Sequence, residues 1–523
     1  MIEGSGSNRV ILILSLIAIL GMGIVSVFTR HGPGVSGDSV TYVMGAENLV
    51  AGNGFSRIEG SGEIEPISGF PPFYSLFLTP VVMLENNSYV VSGLINIGLM
   101  GLNTFIIMYI IYRSTNSIWP SIFSGLVLIS SDAIVQTHGW VLSEPLYLTL
   151  LLLSVLTLLR YIRQRGFAWL ILLGVITAVA SLTRYTGFVL LPAIIVVLLI
   201  FDHRSKRSLA LRLGIYILVA STPLMVWYFR NVNTAGTALN RVIEFHMMRK
   251  ELAFQYLSEI SSWFSPGYLP LDEILRAMLS ISLAAGFFGY FLFRERKRGM
   301  RNSTTNPDTK HVVMWISLLY ITGHIGVLLI NSFFLDAATT SSAPARYLLP
   351  AYIFVLIFCF VTGYELLRKI GSGSMWRWLI AGYLLVVIGT QGIPLNNKLK
   401  DASIYVGYSG FHLRHPDVAK SLKDIDLGVP IVSNNPELIY FLSGRTAYMR
   451  PIRYDPYQMK ERDDYIDQLE FVQSLLDTGG IYVQLKPPSQ GLEEIIADLD
   501  LALMFSHANA GYFYKSASSI GTH

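Results

Sequence analysis

Five side chains in this sequence could carry chemistry: two acids, Asp38 and Glu144, and three arginines, Arg184, Arg230 and Arg346. A carboxylate can serve as a general base, and the planar guanidinium fork suits the oxygens of a phosphate. Each type also has a structural explanation, because acids cap helices and arginines extend to lipid headgroups. The choice depends on the elements that position these side chains.

The composition is that of an integral membrane protein. Hydrophobic residues make up 52% and charged residues 14% of the 523 residues, compared with about 25% charged in soluble domains. The single cysteine, Cys359, excludes an intrachain disulfide framework and a zinc site built from cysteines. The formal net charge is only +4, and the basic residues stand at the ends of apolar segments, so nucleic-acid binding has no support.

About eleven apolar segments are long enough to cross a bilayer core of about 30 Å. They begin near residues 10, 90, 118, 145, 167, 188, 209, 273, 312, 347 and 376. Basic groups such as "RYIRQR" (160–165), "HRSKR" (203–207) and "RERKRGMR" (294–301) fall at every second connection, which makes those connections cytoplasmic. The amino terminus is then predicted to lie inside, and the first loop and the carboxy-terminal segment outside.

The first external loop, at about 30–88, has predicted structure of its own. The segment from Asp38 to Val50 reads as a short amphipathic helix, with Asp38 or Ser36 as its N-cap and Gly52 as its stop. A second helix is expected within "GFPPFYSLFLTPVVMLE" (69–85), which is too short for a comfortable span. Both helices are expected to lie at the membrane interface.

Hydrophobicity falls from about residue 395 onward. Strand-like segments, "VPIVSNN", "TAYM", "GIYVQL" and "GYFYKS", alternate there with helical ones, and Asn435 and Gly444 are the predicted ends of one helix. The predicted organisation is a mainly α-helical polytopic transmembrane domain over 1–394, followed by an external soluble α/β domain over 395–523.

The order of motifs resembles a known family. An acid just after the first span, an amphipathic helix, the turn "GNGF" and a Pro-Pro-aromatic helix follow one another as in the first external loop of GT-C membrane glycosyltransferases. The similarity is to the branch of protein O-mannosyltransferases and lipid A aminoarabinose transferase. Further similar motifs are "HGWVLSEPLYLTLLLL" (138–153), "SLTRYTGFVLLPA" (181–193) and "ARYLLPAY" (345–352).

The resemblance implies an inverting glycosyltransferase that takes its sugar from a polyprenyl-phosphate donor and works on the external face. Asp38 matches the family's catalytic acid and is predicted to act as the base or as an acid that positions the acceptor or a metal ion. Transfer from a phosphate needs cations for the leaving group, and Arg346, Arg184 and more weakly Arg230 are the predicted phosphate-binding residues. The acceptor, whether protein, glycan or lipid, is left open.

Glu144 has two functional interpretations and one structural one. It could orient the acceptor, or join Asp38 in holding a divalent cation (Mg or Mn) on the phosphate. Alternatively, Ser143-Glu144-Pro145 simply begins a helix. The family's mannosyltransferases pair two acids in the first loop, whereas Ser39 follows Asp38 here, so a second carboxylate comes from elsewhere or is not needed. Secondary candidates are Asp132, His138 and Tyr74.

A polytopic transporter or lipid flippase is the competing hypothesis. Transporters place ionisable groups near the midplane and carry related halves, whereas the acids of this sequence cluster near one interface and no halves repeat. The sequence also lacks a Walker loop, a dinucleotide fingerprint and a metal-binding histidine pair. These features favour the transferase.

Overall fold

A computed structural model describes residues 5–58, 60, 63–84, 87–202, 205–238, 243–264, 272–299, 308–335, 344–370, 374–401, 406–455, 460–485, 492–507 and 510–517. The chain forms two compact units. The helical unit comprises Met1–Phe28 and Leu94–Ala402, and the α/β unit comprises Thr29–Gly93 and Ser403–His523. The first loop therefore belongs to the same compact unit as the carboxy-terminal segment.

The helices are α1 Ser5–Phe28, α2 Gly37–Val50, α3 Phe73–Met83, α4 Ser88–Thr115, α5 Ile118–Ser130, α6 Asp132–Gly139, α7 Glu144–Gln164, α8 Phe167–Thr183, α9 Leu190–Phe201, α10 Lys206–Ala235, α11 Lys250–Phe264, α12 Glu273–Gly299, α13 Thr309–Phe334, α14 Pro344–Ile370, α15 Ser374–Lys400, α16 Gly407–Arg414, α17 Pro416–Asp424, α18 Pro436–Ser443, α19 Tyr465–Asp477 and α20 Leu492–Asp498. A 3₁₀ helix, Tyr185–Val189, precedes α9. The strands are β1 Ser56–Ile58, β2 Ile64–Pro66, β3 Ile431–Ser433, β4 Tyr448–Met449, β5 Tyr454–Asp455, β6 Lys460–Glu461, β7 Ile481–Leu485, β8 Leu501–His507 and β9 Gly511–Ser516.

The multi-pass architecture predicted from the sequence is confirmed. Within the described residues, eight helices are long and apolar enough to cross a membrane, namely α1, α4, α7, α10, α12, α13, α14 and α15. The pair α5 and α6, bent by 64°, would make a ninth span, and α8 and Tyr185–Phe201 are shorter apolar helices. All the predicted apolar segments are thus helical. The number of helices long enough to span falls below about eleven for two reasons. The chain bends after α5, and the segments Phe167–Thr183 and Tyr185–Phe201 are shorter than the other spans.

The first loop folds into α2, a small β-hairpin and α3. Ser36 caps α2, since its side chain accepts from the backbone N–H of Ser39 while the Ser39 hydroxyl accepts from the N–H of Ser36. The helix ends before Gly52 and Gly54, which have φ of +83° and +72° and so take a conformation that favours glycine. The predicted helix boundaries are confirmed, and the cap is Ser36 rather than Asp38.

The carboxy-terminal part of the α/β unit is built on a five-stranded sheet of order β4-β3-β7-β9-β8. The pairs of β3 with β4 and with β7 are parallel, and those of β9 with β7 and with β8 are antiparallel. Strand β7 is buried along its whole length: Ile481, Val483 and Leu485 belong to one hydrophobic cluster and Tyr482 to another, because successive side chains point to opposite faces of a sheet. The prediction of a sheet-containing carboxy-terminal region is confirmed.

Candidate functional site

Glu144 is the first residue of α7 in the helical unit. Ser143 stands at the N-cap, and Pro145 occupies the first turn, where its missing N–H costs no hydrogen bond. The Glu144 side chain is only 1% exposed. A buried carboxylate is costly unless it is paired and hydrogen-bonded, so its neighbours decide what it can do.

Two arginines supply that pairing. Arg184 stands in extended conformation between α8 and the 3₁₀ helix. Its Nη1 lies 2.8 Å from Glu144 Oε1 and 3.2 Å from the Ser143 hydroxyl. Arg346, near the start of α14, donates from Nε to the same Glu144 oxygen. The two guanidinium side chains are 17% and 20% exposed.

These three residues, named here the Glu144 cluster, carry a formal net charge of +1. Two guanidiniums bring ten N–H donors to a carboxylate that offers about four acceptor positions. The cluster is therefore suited to an additional anion. The sequence nominated all three residues, and the structure brings them together from three separate elements.

A tyrosine pair that sequence reasoning missed lies next to this cluster. Tyr147, one helical turn after Glu144, is fully buried and its hydroxyl lies 2.8 Å from that of Tyr320 on α13. The Thr186 hydroxyl donates to the Tyr147 oxygen at 3.3 Å. A sequence signal for Tyr147 did exist: it lies three residues after Glu144 in an apolar span, and residues at that spacing share one face of a helix.

Arg230 has a different environment within the helical unit. Its guanidinium carbon stands 4.8 Å from the centre of the Trp227 ring, and its Nη1 donates to Asn231 at 3.1 Å. Those contacts hold the side chain on α10 itself. Arg230 is therefore a weaker phosphate-binding candidate than Arg184 or Arg346.

Asp132 and His138 take structural positions at the two ends of α6. Asp132 Oδ2 accepts from Lys398 and from Gln136, each at 2.6 Å. His138 is 1% exposed, its Nδ1 donates to the Ile134 carbonyl at 2.8 Å, and Asn103 donates to its Nε2 at 3.1 Å. This arrangement fixes the neutral tautomer of the imidazole.

Asp38 lies in the first turn of α2, in the α/β unit, where it is partly buried. Because Ser36 is the cap, capping does not explain Asp38. Tyr74, on α3, is 1% exposed and its ring packs edge-on against that of Tyr42 at 4.9 Å. Tyr74 is therefore a core residue of the α/β unit.

A second carboxylate of α2, Glu47, was not nominated from the sequence. Its Oε2 accepts from the hydroxyl of Tyr440 on α18 at 2.8 Å. Burial raises the pKa of Glu47, and the hydrogen bond from Tyr440 partly opposes that rise. The contact connects α2 of the first loop with α18 of the carboxy-terminal segment, within one unit.

The predicted cation site finds no support at Glu144. Among the described residues, no three His, Cys, Asp or Glu side chains are grouped to hold a metal ion. Glu144 already faces two guanidiniums, and a divalent cation beside them would meet strong repulsion. Glu144 does not fit the role of a cation ligand, while a metal role for Asp38 stays a prediction.

The comparison with known proteins agrees with this fold. Residues 70–227 match the family model described as "Dolichyl-phosphate-mannose-protein mannosyltransferase". The structure of ArnT from Cupriavidus metallidurans in the apo state matches with a TM-score of 0.56 at 14% identity, covering 99% of both chains. The same protein bound to undecaprenyl phosphate matches with a TM-score of 0.52 at 13% identity, covering 97% of this chain and 98% of that one. By sequence alone, no curated protein matches the chain.

These findings confirm the recognition made from the sequence. The structural matches establish the GT-C fold along the chain, and the family match places a glycosyltransferase signature on residues 70–227, which include Glu144 and Arg184. The protein is a multi-pass membrane glycosyltransferase of the GT-C type.

Proposed function

We propose that this glycosyltransferase moves a sugar from a polyprenyl-phosphate donor to an acceptor hydroxyl or amine, with inversion, on the external face of the membrane. The observation that carries the proposal is the Glu144 cluster, in which Arg184 and Arg346 converge on one buried carboxylate. The external location rests on the alternation of basic connections along the sequence.

The Glu144 cluster supplies what a departing phosphate needs. As the bond between the sugar and the phosphate breaks, negative charge grows on the phosphate oxygen, and fixed cations in a poorly hydrated site stabilise it. Arg184 and Arg346 bind the phosphate in this proposal. Glu144 fixes the orientation of their guanidiniums, since it contacts both of them and is itself too strongly paired to serve as a base.

Asp38 is the proposed base. The side chain that caps α2 is that of Ser36, so capping is not the role of the Asp38 carboxylate. A positioned carboxylate that takes the proton of the attacking hydroxyl contributes about 10²- to 10⁴-fold to the rate. One direct displacement, with the base on the acceptor and the cations on the phosphate, inverts the anomeric configuration.

The test is turnover by the purified protein in lipid nanodiscs, with a panel of polyprenyl-phosphate sugars as donors. Wild type should consume at least one donor, and Asp38→Asn should lower turnover by about 10²-fold or more while leaving donor binding intact. Chelator in a parallel sample tests the cation at Asp38. The matched control is Asp417→Asn, an exposed acid in the first turn of α17 in the same unit.

Three outcomes would count against the proposal. Unchanged turnover in Asp38→Asn would remove Asp38 from the chemistry. Donor binding followed by movement of the intact donor across the bilayer, without release of polyprenyl phosphate, would favour the lipid flippase. If no donor in the panel bound, the proposal that the protein uses a polyprenyl-phosphate sugar would be wrong.

A further inference from the structure

The α/β unit contains a cavity that the proposed chemistry has not used. It encloses about 270 Å³, slightly below the range of about 300–1,000 Å³ that is typical of pockets for drug-sized ligands. The lining residues come from the first loop and from the carboxy-terminal segment: Val40, Thr41, Met44, Arg57, Ile58, Pro436, Glu437, Tyr440, Thr446, Ala447 and Met449. The volume suits a ligand of one ring.

The lining mixes two kinds of side chain. Five of the lining residues are polar: Thr41, Arg57, Glu437, Tyr440 and Thr446. Three of these also bond within the protein, since the Thr41 hydroxyl donates to the Gly37 carbonyl, Arg57 pairs with Glu65 and Tyr440 donates to Glu47. The remaining residues are apolar, and the flexible thioethers of methionine adapt to irregular shapes. Hydrogen-bonding groups of both donor and acceptor type, set among apolar surfaces, suit a ring that carries several hydroxyls and exposes C–H groups on its faces.

The cavity adjoins the position of Asp38. Asp38 and Thr41 are three residues apart on α2, so their Cβ atoms are about 5–6 Å apart, and Thr41 lines the cavity. Glu437 approaches the same end of α2, because its carboxyl carbon lies 3.8 Å from where a Cβ on Gly37 would stand. The base and the cavity therefore belong to one continuous region of the α/β unit.

The environment of Tyr408 is a second indication that Asp38 and Glu437 lie close to each other. The Tyr408 hydroxyl lies 3.6 Å from the same point beside Gly37 and donates to Asn435 at 2.8 Å. Burial raises the pKa of the Tyr408 phenol, and the negative charges of Glu437 and then Asp38 raise it further. Both carboxylates thus act on one phenol.

We infer that this cavity binds the acceptor as a hydroxylated sugar ring, with Glu437 accepting a hydrogen bond from a ring hydroxyl beside the Asp38 base. The inference rests on the proposed function and deepens it. The attacking hydroxyl oxygen forms the new bond to the anomeric carbon, the bond from that carbon to the phosphate oxygen breaks with its electron pair, and the hydroxyl proton passes to Asp38. Glu437 then supplies the second acid that Ser39 does not.

Alkyl glycosides are the probe for this site, used as acceptors below their critical micelle concentrations with the nanodisc-embedded protein. Glu437→Gln should raise the acceptor KM about tenfold or more, because a charge-assisted hydrogen bond is lost, and leave the donor KM unchanged. Thr446→Phe, which fills the cavity, should have a similar effect on the acceptor KM. The matched control is Thr478→Phe, on the exposed turn after α19, which should behave as wild type.

Direct binding separates this inference from the proposed function. Saturation-transfer NMR should detect the sugar protons of an octyl glycoside on wild type and on Thr478→Phe, and lose them on Thr446→Phe. Transfer to glycosides with unchanged acceptor KM in both cavity variants would overturn the inference and leave the proposed function standing. Transfer only to serine- or threonine-containing peptides would overturn the sugar assignment. If the cavity variants weakened glycoside binding but no donor was consumed, the cavity would be a sugar-binding site and the proposed function would be wrong.

Discussion

The two units of the molecule hold sites of opposite electrostatic character. The helical unit surrounds one carboxylate, Glu144, with two guanidiniums, so the Glu144 cluster carries a formal net charge of +1. The α/β unit instead places the carboxyls of Asp38 and Glu437 at the same end of α2. Positive charge suits the phosphate of a donor, and an acid that can take a proton suits a hydroxyl nucleophile.

The helical unit also contains a structural counterpart to the Glu144 cluster. Glu365 on α14 is 6% exposed and accepts from Arg294 and from Lys310, each at 2.9 Å. Its carboxylate likewise faces two bases, and Lys310 also pairs with Asp308 at 3.0 Å. Glu365 therefore offers a matched control that separates a charge cluster that binds phosphate from one that only holds helices together.

The largest expected effect comes from removing the acid of the Glu144 cluster. Glu144→Gln should lower the free energy of unfolding by about 3–5 kcal/mol, since two largely buried cations lose the carboxylate that pairs with both of them. Undecaprenyl phosphate should raise the melting temperature of this variant by more than it raises that of wild type, because the lipid phosphate supplies the missing anion. Thermal unfolding in nanodiscs measures both quantities.

Glu365→Gln is the control for that experiment. It should lose stability for the same electrostatic reason, but undecaprenyl phosphate should not restore it. Equal restoration in the two variants would mean that the lipid stabilises the protein non-specifically, and the distinction between the two clusters would disappear.

The next effect concerns donor binding. Arg346→Met should raise the donor KM about 10- to 100-fold, because hydrogen bonds to a charged group contribute about 1.5–3 kcal/mol each. Arg346→Lys keeps the charge without the planar fork and should fall between wild type and Arg346→Met. Steady-state kinetics at saturating acceptor measure the change. A change in the acceptor KM alone would mean that Arg346 contacts the acceptor and not the donor phosphate, which would contradict this prediction.

A pH effect is expected in the α/β unit. Burial raises the pKa of Glu47 above its ordinary value, so the folded state favours the protonated acid. The stability that this proton supplies is complete below the pKa of the unfolded chain and is lost as pH rises through the folded pKa. Glu47→Gln, which stays neutral, should therefore gain stability relative to wild type as pH rises.

Melting temperatures measured from pH 4 to pH 8 provide the check. Tyr440→Phe removes the hydrogen bond that lowers the Glu47 pKa, so it should enlarge the loss of stability at high pH. If the difference between Glu47→Gln and wild type did not change with pH, Glu47 would have the same pKa in both states and the electrostatic description of this unit would need revision.

The smallest effect is expected at Arg230. Its guanidinium stacks on Trp227, and such a contact contributes about 0.5–1 kcal/mol at exposed sites. Arg230→Met should lower the melting temperature slightly and change the donor KM less than about threefold. An effect on donor KM as large as that of Arg346→Met would extend the phosphate site beyond the Glu144 cluster.

Most of the secondary-structure elements could be predicted because they depend on local sequence patterns. The apolar segments became helices because the hydrophobic pattern of a span is local. The predicted helix between Asn435 and Gly444 is α18: Asn435 accepts from the backbone N–H of Leu438, and Gly444 has φ of +73°. Strand β8 was missed because "LALMFSH" lacks a clean alternation, and its position is decided by pairing with β9.

The membrane class, the helical segments, the caps and turns of the first loop, and a short set of candidate residues could all be predicted from the sequence. Which of those candidates meet could not be predicted, because it depends on the folded chain. Arg346 reaches Glu144 across 202 residues of sequence, and Glu437 of the carboxy-terminal segment comes beside Gly37 of the first loop. Hydrophobic periodicity and capping act within a few residues, whereas these contacts depend on how distant segments pack, and no local pattern encodes that.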